Sequence, residues 1–352
     1  MSDFDSQLLH YLPQVLRTNE LLIQCPGVSL FFLALGFLTF AKFTVKAFGV
    51  VLQTFVLPGT SLKKYGAGKG AWAVVTGASE GIGKEFALQL AKKGFNVLVS
   101  ARNADALQTL VNEIESSAPP NKNVQAKAIV MDFSKLSDES EWKRFEGALE
   151  GLDIGVLVNN VGKSHRAPIY FTEASTQEIE DILTINVNAT VRVTKMVLPG
   201  MVNRKRGLIL NMGSFSGTGI ASPMLATYAG TKSFLSTFTS SLAEEVKHKG
   251  IDVQCLNTYF VVSNMSQIRK SSITAPTPKN YVRAVLQKVG LACGALWTGR
   301  PNVSTPYWSH GILDYLMNLI GWKMVFIRYT HGLHSNIRKR YLRKLEREAK
   351  KQ

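Results

Sequence analysis

Cysteine is scarce in this chain: 352 residues hold three, Cys25, Cys255 and Cys293, far apart. That spacing offers neither a disulfide framework nor the clustered ligands of a zinc site. Acidic residues are also short, 25 Asp and Glu against 41 Lys and Arg, which leaves a net charge of +16. Charged residues make up only 19% of the chain and hydrophobic ones 45%, a low charge for a protein that meets water alone and one that suggests membrane contact. No internal repeat is visible. Much of the positive excess is local: residues 336–352 carry Arg338, Lys339, Arg340, Arg343, Lys344, Arg347, Lys350 and Lys351 against Glu346 and Glu348. Such a tail suits nucleic acid or an anionic membrane surface equally. No nucleic-acid motif accompanies it, so a membrane-facing tail is expected and a nucleic-acid partner is not; a plain solvated helix is the alternative.

Charge is missing altogether from Leu21 to Ala41. Such a stretch, as helix, rises about 31 Å, close to the hydrocarbon thickness of a bilayer. The preceding segment is net acidic (Asp3, Asp5 and Glu20 against Arg17) and no small-residue cleavage site follows, which argues against a cleavable signal peptide. Pro26 predicts that the helix proper starts near Gly27 and runs past Lys42. Phe43–Leu57, apolar apart from Lys46, either extends the span or lies in the interface with both lysines snorkelling. A helix packed on the protein's own core is the alternative to an anchor. Lys42, Lys46, Lys63, Lys64 and Lys69 gather after the span, which predicts a lumenal N-terminus and a cytosolic remainder. The glycosylation-type triplets at Asn188, Asn264 and Asn302 then lie outside any secretory lumen. A second apolar run, Ile312–Ile327, includes Asp314 and Lys323 and is short for a span; it is expected to be interfacial or re-entrant, or an ordinary buried helix. The expected division is an anchor segment 1–60, a catalytic domain 61–300, and a hydrophobic segment with basic tail 301–352.

Between these ends, strand and helix patterns alternate. Strands are expected at Ala71–Thr76, Asn96–Ala101, Ala126–Met131, Gly155–Asn159, Gly207–Met212 and Ile251–Leu256, with helices at Lys84–Lys93 and Tyr281–Leu291. The expected fold is α/β, a Rossmann-type doubly wound parallel sheet with an N-terminal membrane anchor and a C-terminal membrane-associated extension. The first strand runs into Thr76-Gly77-Ala78-Ser79-Glu80-Gly81-Ile82-Gly83 and then a helix. Glycines between a strand and a helix let the backbone turn tightly and approach a dinucleotide pyrophosphate seated on the helix N-terminus. The second strand ends in Ser100-Ala101-Arg102-Asn103, with no carboxylate for a ribose diol. Arg102 in that place accommodates the extra phosphate of NADPH, and Lys84 is the other basic candidate. Downstream, Tyr228 and Lys232 are four apart and share a helical face. A phenol with a pKa near ~10 is a poor proton donor at neutrality, and a lysine cation one turn away pulls that value down.

With Ser214 and Asn186 upstream, and in that order, the chain resembles the short-chain dehydrogenase/reductase family from about Gly70 to Ser266. The resemblance implies that Tyr228 donates the proton, Ser214 holds the carbonyl oxygen, Lys232 serves the tyrosine and the nicotinamide ribose, and Asn186 anchors a water that replenishes the proton. The family places its serine three residues before a glycine, here Gly217, which selects Ser214 over the turn residue Ser216. By the same resemblance the cofactor meets Val75, Gly77, Ser79, Gly81, Ile82, Gly83, Arg102, Asp132, Asn159, Asn160, Tyr228, Lys232, Val262 and Ser263. The chain departs from the family in Val161, where Ala is usual, and after the sixth strand, where Pro-Gly is usual and the run here is Thr258-Tyr259-Phe260-Val261-Val262-Ser263. Within the family, Asn159-Asn160-Val161-Gly162, Met212-Gly213-Ser214-Phe215, Tyr259-Phe260-Val261, Pro276–Gly290 and Thr305-Pro306-Tyr307-Trp308 resemble the fungal-type microsomal 3-oxoacyl-CoA reductases of very-long-chain fatty acid elongation. That implies a long-chain acyl-CoA substrate, membrane lipid and other elongation enzymes as partners, and a place in the endoplasmic reticulum membrane. The group overlaps with 17β-hydroxysteroid dehydrogenases, so a steroid ketone is the rival substrate. An NADPH-binding scaffold without turnover is the non-enzymatic rival; it predicts loss of Ser214, Tyr228 or Lys232, and all three are present.

Overall fold

Runs such as Trp72–Thr76 and Gly207–Met212 are mostly apolar and buried at every position, as strands covered on both faces are. The computed structural model describes residues 26–117 and 123–350. The expectations placed on residues 1–25, including Leu21–Cys25 and the acidic segment before it, and on Lys351 lie outside the described residues.

Two compact units divide the chain, Met1–Gly49 and Val50–Gln352. Helix α1 spans Pro26–Val51 and passes into a π-helical turn, Leu52–Val56. Among the described residues, Pro26–Val56 is the one helical stretch long and apolar enough to cross a membrane. Its apolar side chains point in all directions, with Leu30, Phe32, Leu33, Phe37 and Phe40 all mostly exposed. A helix apolar all round belongs in a core or in lipid. Thr39 and Thr44 turn their hydroxyls back on the carbonyls of Leu35 and Phe40, so they present no unsatisfied donor to hydrocarbon.

The second unit is a seven-stranded sheet in the order β3-β2-β1-β4-β5-β6-β7. Its strands are β1 (Trp72–Thr76), β2 (Asn96–Ala101), β3 (Ala126–Val130), β4 (Ile154–Asn159), β5 (Gly207–Met212), β6 (Ile251–Leu256) and β7 (Val303–Ser304), all paired in parallel. The helices of this unit are α2 (Gly81–Lys93), α3 (Ala104–Ser117), α4 (Glu139–Leu149), α5 (Thr176–Leu183), α6 (Ala189–Asn203), α7 (Ala226–Val246), α8 (Pro278–Gln287), α9 (Trp308–Ile320) and α10 (Lys323–Ala349). The period-two alternation of the strands divides the core. Ala73, Val75, Val97, Val99, Leu208 and Leu210 pack under α2, α3 and α8 through Phe86, Leu90, Leu107, Ile114 and Tyr281. Trp72, Val74, Leu98, Leu157 and Ile209 pack under α4, α6 and α7 through Trp142, Phe145, Val193 and Leu242. This is the expected Rossmann-type doubly wound sheet. The chain reverses direction between β1 and β4, and ligands of such sheets bind in the crevice at that switch point.

Three local expectations change. Helix α2 begins at Gly81 rather than Lys84, so the last glycines of the loop already form its first turn. Helix α8 starts earlier and stops earlier than Tyr281–Leu291. Thr277 caps it by accepting from the Asn280 N–H, and Pro278 occupies the first turn, where no N–H is needed. It ends because the carbonyls of Gln287 and Val289 take the N–H groups of Gly59 and Thr60. The run Ile312–Ile327 is broken by Gly321, at φ +70°, into the end of α9 and the start of α10. Ser309, His310 and Asp314 form the buried face of α9, while Leu316, Leu319, Ile320, Trp322, Met324 and Val325 stay exposed.

The position expected for a boundary, 300/301, falls inside the second unit, because β7 pairs with β6 and Asp314 is fully buried. Arg300 donates to the Asp314 carboxylate at 2.7 Å, Thr305 and Asn257 reach its other oxygen, and Asn318 adds a fourth bond. A carboxylate so placed offsets its burial only because each lone pair is used.

Candidate active site

The glycine loop is built by exclusion. Gly77 sits at φ +64°, and a Cβ there would lie 2.8 Å from Val161 Cα; a Cβ on Gly83 would lie 2.3 Å from Gly77 O. Only hydrogen fits at either place, so the end of β1 lies tight against the loop after β4 at Gly77, and α2 lies tight on the end of β1 at Gly83. Asn160 then fixes the loop from β4. Its Nδ2 donates to the carbonyls of Thr76 and Gly77 at 3.0 and 2.9 Å, and its N–H donates to Thr76 Oγ1. Glu80 at the start of α2 makes no side-chain cap, so the first N–H groups of the helix are left for an anion. The cradle fits a dinucleotide pyrophosphate. Val75, Ser79, Gly81 and Ile82 line the same strand-loop-helix junction.

Arg102 is exposed at the tip of β2. Lys84, the other candidate for a phosphate, is held by Glu113 at 2.8 Å. Asp132, after β3, accepts from the N–H and hydroxyl of Ser134 through one oxygen. Asp181 on α5 is held below the usual carboxylate range, chiefly by its hydrogen bond from Lys163, then by Gln177, with Arg102 contributing through space. At the far end, Ser263 comes within 3.8 Å of the position of a Gly81 Cβ, and the Val262 N–H is occupied by Pro276 O at 3.0 Å. Val262 therefore has no free N–H for a cofactor amide while this loop keeps its present form.

Ser214 lies two residues after β5 and caps the short turn Phe215–Thr218, and its hydroxyl hydrogen-bonds Tyr228 on α7. Lys232 lies one turn further along α7, its ammonium 5.6 Å from the Tyr228 ring centre. Burial pushes the Tyr228 phenol up, and the Ser214 bond draws it part of the way back. Burial also pulls Lys232 down to about 8, the neighbouring Cys255 opposing slightly. The Lys232 Nζ donates to Met212 O at 2.7 Å. The carbonyl, not the phenol oxygen, takes this bond.

Asn186 lies in a π-helical turn, Thr184–Asn188, between α5 and α6. Its Oδ1 accepts from the Lys163 N–H at 2.7 Å, and its Nδ2 donates to Lys163 O and Thr231 Oγ1. Both amide donors are used, so a water held by this side chain must donate to Oδ1. Asn159 faces the opposite layer, donating to Asn211 Oδ1 and Thr194 Oγ1, while Asn211 donates to Thr239. The pair sits directly across the β4–β5 register and ties the sheet to α6 and α7. Asn159 is thus placed as a brace within the sheet.

Several residues here went unassigned from sequence. Asn211, a polar side chain inside the apolar run Gly207–Met212, carried a local signal. Lys163, Thr194, Thr231 and Thr239 carried none, since only the fold brings them to Asn186 and Asn159. His310 is the largest addition. Fully buried, it contacts the rings of Phe215, Tyr259, Tyr281 and Tyr307 and shares a hydrogen bond with Thr274 O at 3.1 Å. Burial pulls it down to about 4, against weaker support from the Thr274 and Phe260 carbonyls.

His310 is neutral in the folded chain where the unfolded chain already binds a proton, so its contribution is present above pH ~6.5 and lost as pH falls toward 4. The expected loss over that window is ~3 kcal/mol. Denaturation of wild type and His310→Gln at pH 7.5 and 4.5 measures it; the variant should show a much smaller difference, and equal differences would exclude His310 as the titrating group.

The short-chain dehydrogenase family model matches residues 71–273, more than half of the chain. The very-long-chain 3-oxoacyl-CoA reductase of Coprinopsis cinerea is 60% identical, over 93% of this chain and 95% of its own. The protein of the same name from Laccaria bicolor is 55% identical over the same shares. A solved structure of a putative NAD(P)-dependent gluconate 5-dehydrogenase from Beutenbergia cavernae, with bound NADP, superposes with a TM-score of 0.56 at 26% identity, covering 68% of this chain and 96% of that one. The chain belongs to the short-chain dehydrogenase family, oxidoreductases that use a nicotinamide cofactor.

Proposed function

We propose that this chain is an NADPH-dependent reductase that converts very-long-chain 3-oxoacyl-CoA to 3-hydroxyacyl-CoA in fatty acid elongation. The observation that carries the reading is the hydrogen-bonded Ser214–Tyr228 pair with the buried Lys232 one turn on, in a fold that also carries a glycine cradle. It stands in a chain 60% identical to a reductase of that name. The reduced nicotinamide supplies a hydride. Tyr228 gives its proton to the carbonyl oxygen that becomes the alcohol, and Ser214 donates a hydrogen bond to the same oxygen as charge develops there. A phenol pushed up by burial is protonated at neutral pH, the form a proton donor needs. Lys232, near 8, is poised to return a proton to Tyr228, and Asn186 holds the water that resupplies it.

Arg102 takes the additional phosphate that distinguishes NADPH from NADH. Asp132 meets the adenine amine, and Val262 and Ser263 meet the nicotinamide carboxamide once the loop releases the Val262 N–H. Helix α1 anchors the chain in the endoplasmic reticulum membrane, with the reductase on the cytosolic side. The exposed Trp322, Met324 and Val325 rest in the lipid interface, and the other elongation enzymes are the expected neighbours.

Tyr228→Phe should lower kcat by about 10²–10⁴-fold and leave NADPH affinity within a few-fold; activity near wild type would reject Tyr228 as the acid. Arg102→Asp should move the cofactor preference toward NADH, as read by the ratio of kcat/KM values. An unchanged ratio would assign the phosphate to another cation. Full-length protein in microsomes should resist alkaline carbonate and require detergent, whereas release by carbonate would reduce α1 to a peripheral helix.

A further inference from the structure

Helix α10 crosses the side of the fold where the reaction is placed. Three loops leave the carboxyl ends of β4, β5 and β6, and α10 packs on the first two. Near its start, Tyr329 acts through space on Tyr259, in the loop after β6, adding to burial in pushing that phenol up. One turn on, His334 is buried and shares a hydrogen bond with Pro223 O at 2.7 Å, and Ser335 points to Met224 Sδ at 3.6 Å, both in the loop after β5. Next, Arg338 donates to Pro168 O at 3.3 Å, pairs with Glu173 and lies over the Tyr170 ring, while His331 meets the edge of that ring. These belong to the loop after β4, which is itself joined to the loop after β5 by Ile169 N–H to Met224 O.

Tyr329 and Arg338 are nine positions apart, about 13 Å along the helix. Tyr259 packs edge-on to Phe215, the neighbour of Ser214, at 5.1 Å. The phenol that Tyr329 influences thus packs beside the neighbour of the candidate oxyanion donor.

We propose that the Tyr329–Arg338 segment of α10 is a strap across the mouth of the substrate cleft that selects for long acyl thioesters, with Arg338–Glu173 as its latch. The inference rests on the reductase reading above. The helix covers the route by which a long chain leaves the reacting carbonyl, so a long acyl group is gripped between α10 and the loops, whereas a short one ends before reaching it. Arg338 acts as a positioning residue: it holds the strap and does not meet the reacting atoms.

The test uses full-length protein in detergent micelles, comparing wild type, Arg338→Glu and the double variant Arg338→Glu/Glu173→Arg. KM for a long-chain 3-oxoacyl-CoA should rise about tenfold in the single variant and return toward wild type in the charge-swapped double variant. KM for 3-oxobutanoyl-CoA and the Kd for NADPH should change less than about twofold. A uniform change for both substrates, or none, in a variant that melts as wild type does would overturn the strap. Hydrogen exchange supplies a readout independent of turnover: long-chain 3-hydroxyacyl-CoA should slow exchange in residues 329–338 and 166–174, and CoA alone should not. Slowed exchange without any reduction by wild type would leave the strap standing and reject the reductase reading; unchanged exchange with active wild type would do the reverse.

Discussion

The close approach of three chain segments at Gly77 and Gly83 is the contact from which the site is built. The missing Cβ of Gly77 admits the chain after β4 at Val161, and that of Gly83 seats the first turn of α2 on the Gly77 carbonyl. Asn160 then holds the carbonyls of that junction from the neighbouring strand. Since β4 also runs into Asn160-Val161-Gly162-Lys163, the clasp fixes the loop that ends on Asn186. Asn186 in turn reaches Thr231 on the helix that carries Tyr228 and Lys232. The candidate cradle and the candidate catalytic residues are thus held by one continuous set of hydrogen bonds, part-buried to buried, in which a single buried member left unpaired would cost about 1–3 kcal/mol.

The electrostatics of the pair follow from that enclosure. In water a lysine would stay charged and a tyrosine protonated, with little exchange between them. Burial moves Lys232 down toward 8 and Tyr228 up, and Ser214 partly offsets the latter. A lysine cation lowering the tyrosine is the simple expectation from their spacing. In the structure the ammonium is turned to Met212 O, and the serine supplies the lowering contact. Desolvation outweighs the pairwise attraction because Lys232 is buried and its ammonium faces Met212 O instead of the phenol oxygen.

How much could be read in advance depended on how local each signal was. The strands from Trp72 to Leu256 were legible because each is a short, largely apolar run between helical patterns, and the glycine loop because its residues are contiguous in the chain. The apolar helix was legible from its length and lack of charge. The two-residue β7 was not, since no periodicity exists over two positions and its place is set by pairing with Cys255 and Leu256. The end of α8 depended on Gly59 and Thr60, more than 200 positions away. Ile312–Ile327 misled because hydropathy averages over Gly321, where a left-handed backbone turns one run into two helices with different faces. His310 was invisible for a similar reason: a lone histidine gains meaning only when the rings of Phe215, Tyr259 and Tyr281, from distant segments, join its near neighbour Tyr307 around it.

The central claim is that the Ser214–Tyr228–Lys232 site reduces the 3-keto group of a long acyl thioester. Membranes containing the full-length protein, supplied with NADPH, should be offered a long-chain 3-oxoacyl-CoA and an oestrogenic or androgenic ketone in parallel. The account predicts rapid NADPH oxidation with the thioester and a far lower kcat/KM with the steroid. Equal or greater kcat/KM for the steroid ketone would contradict it.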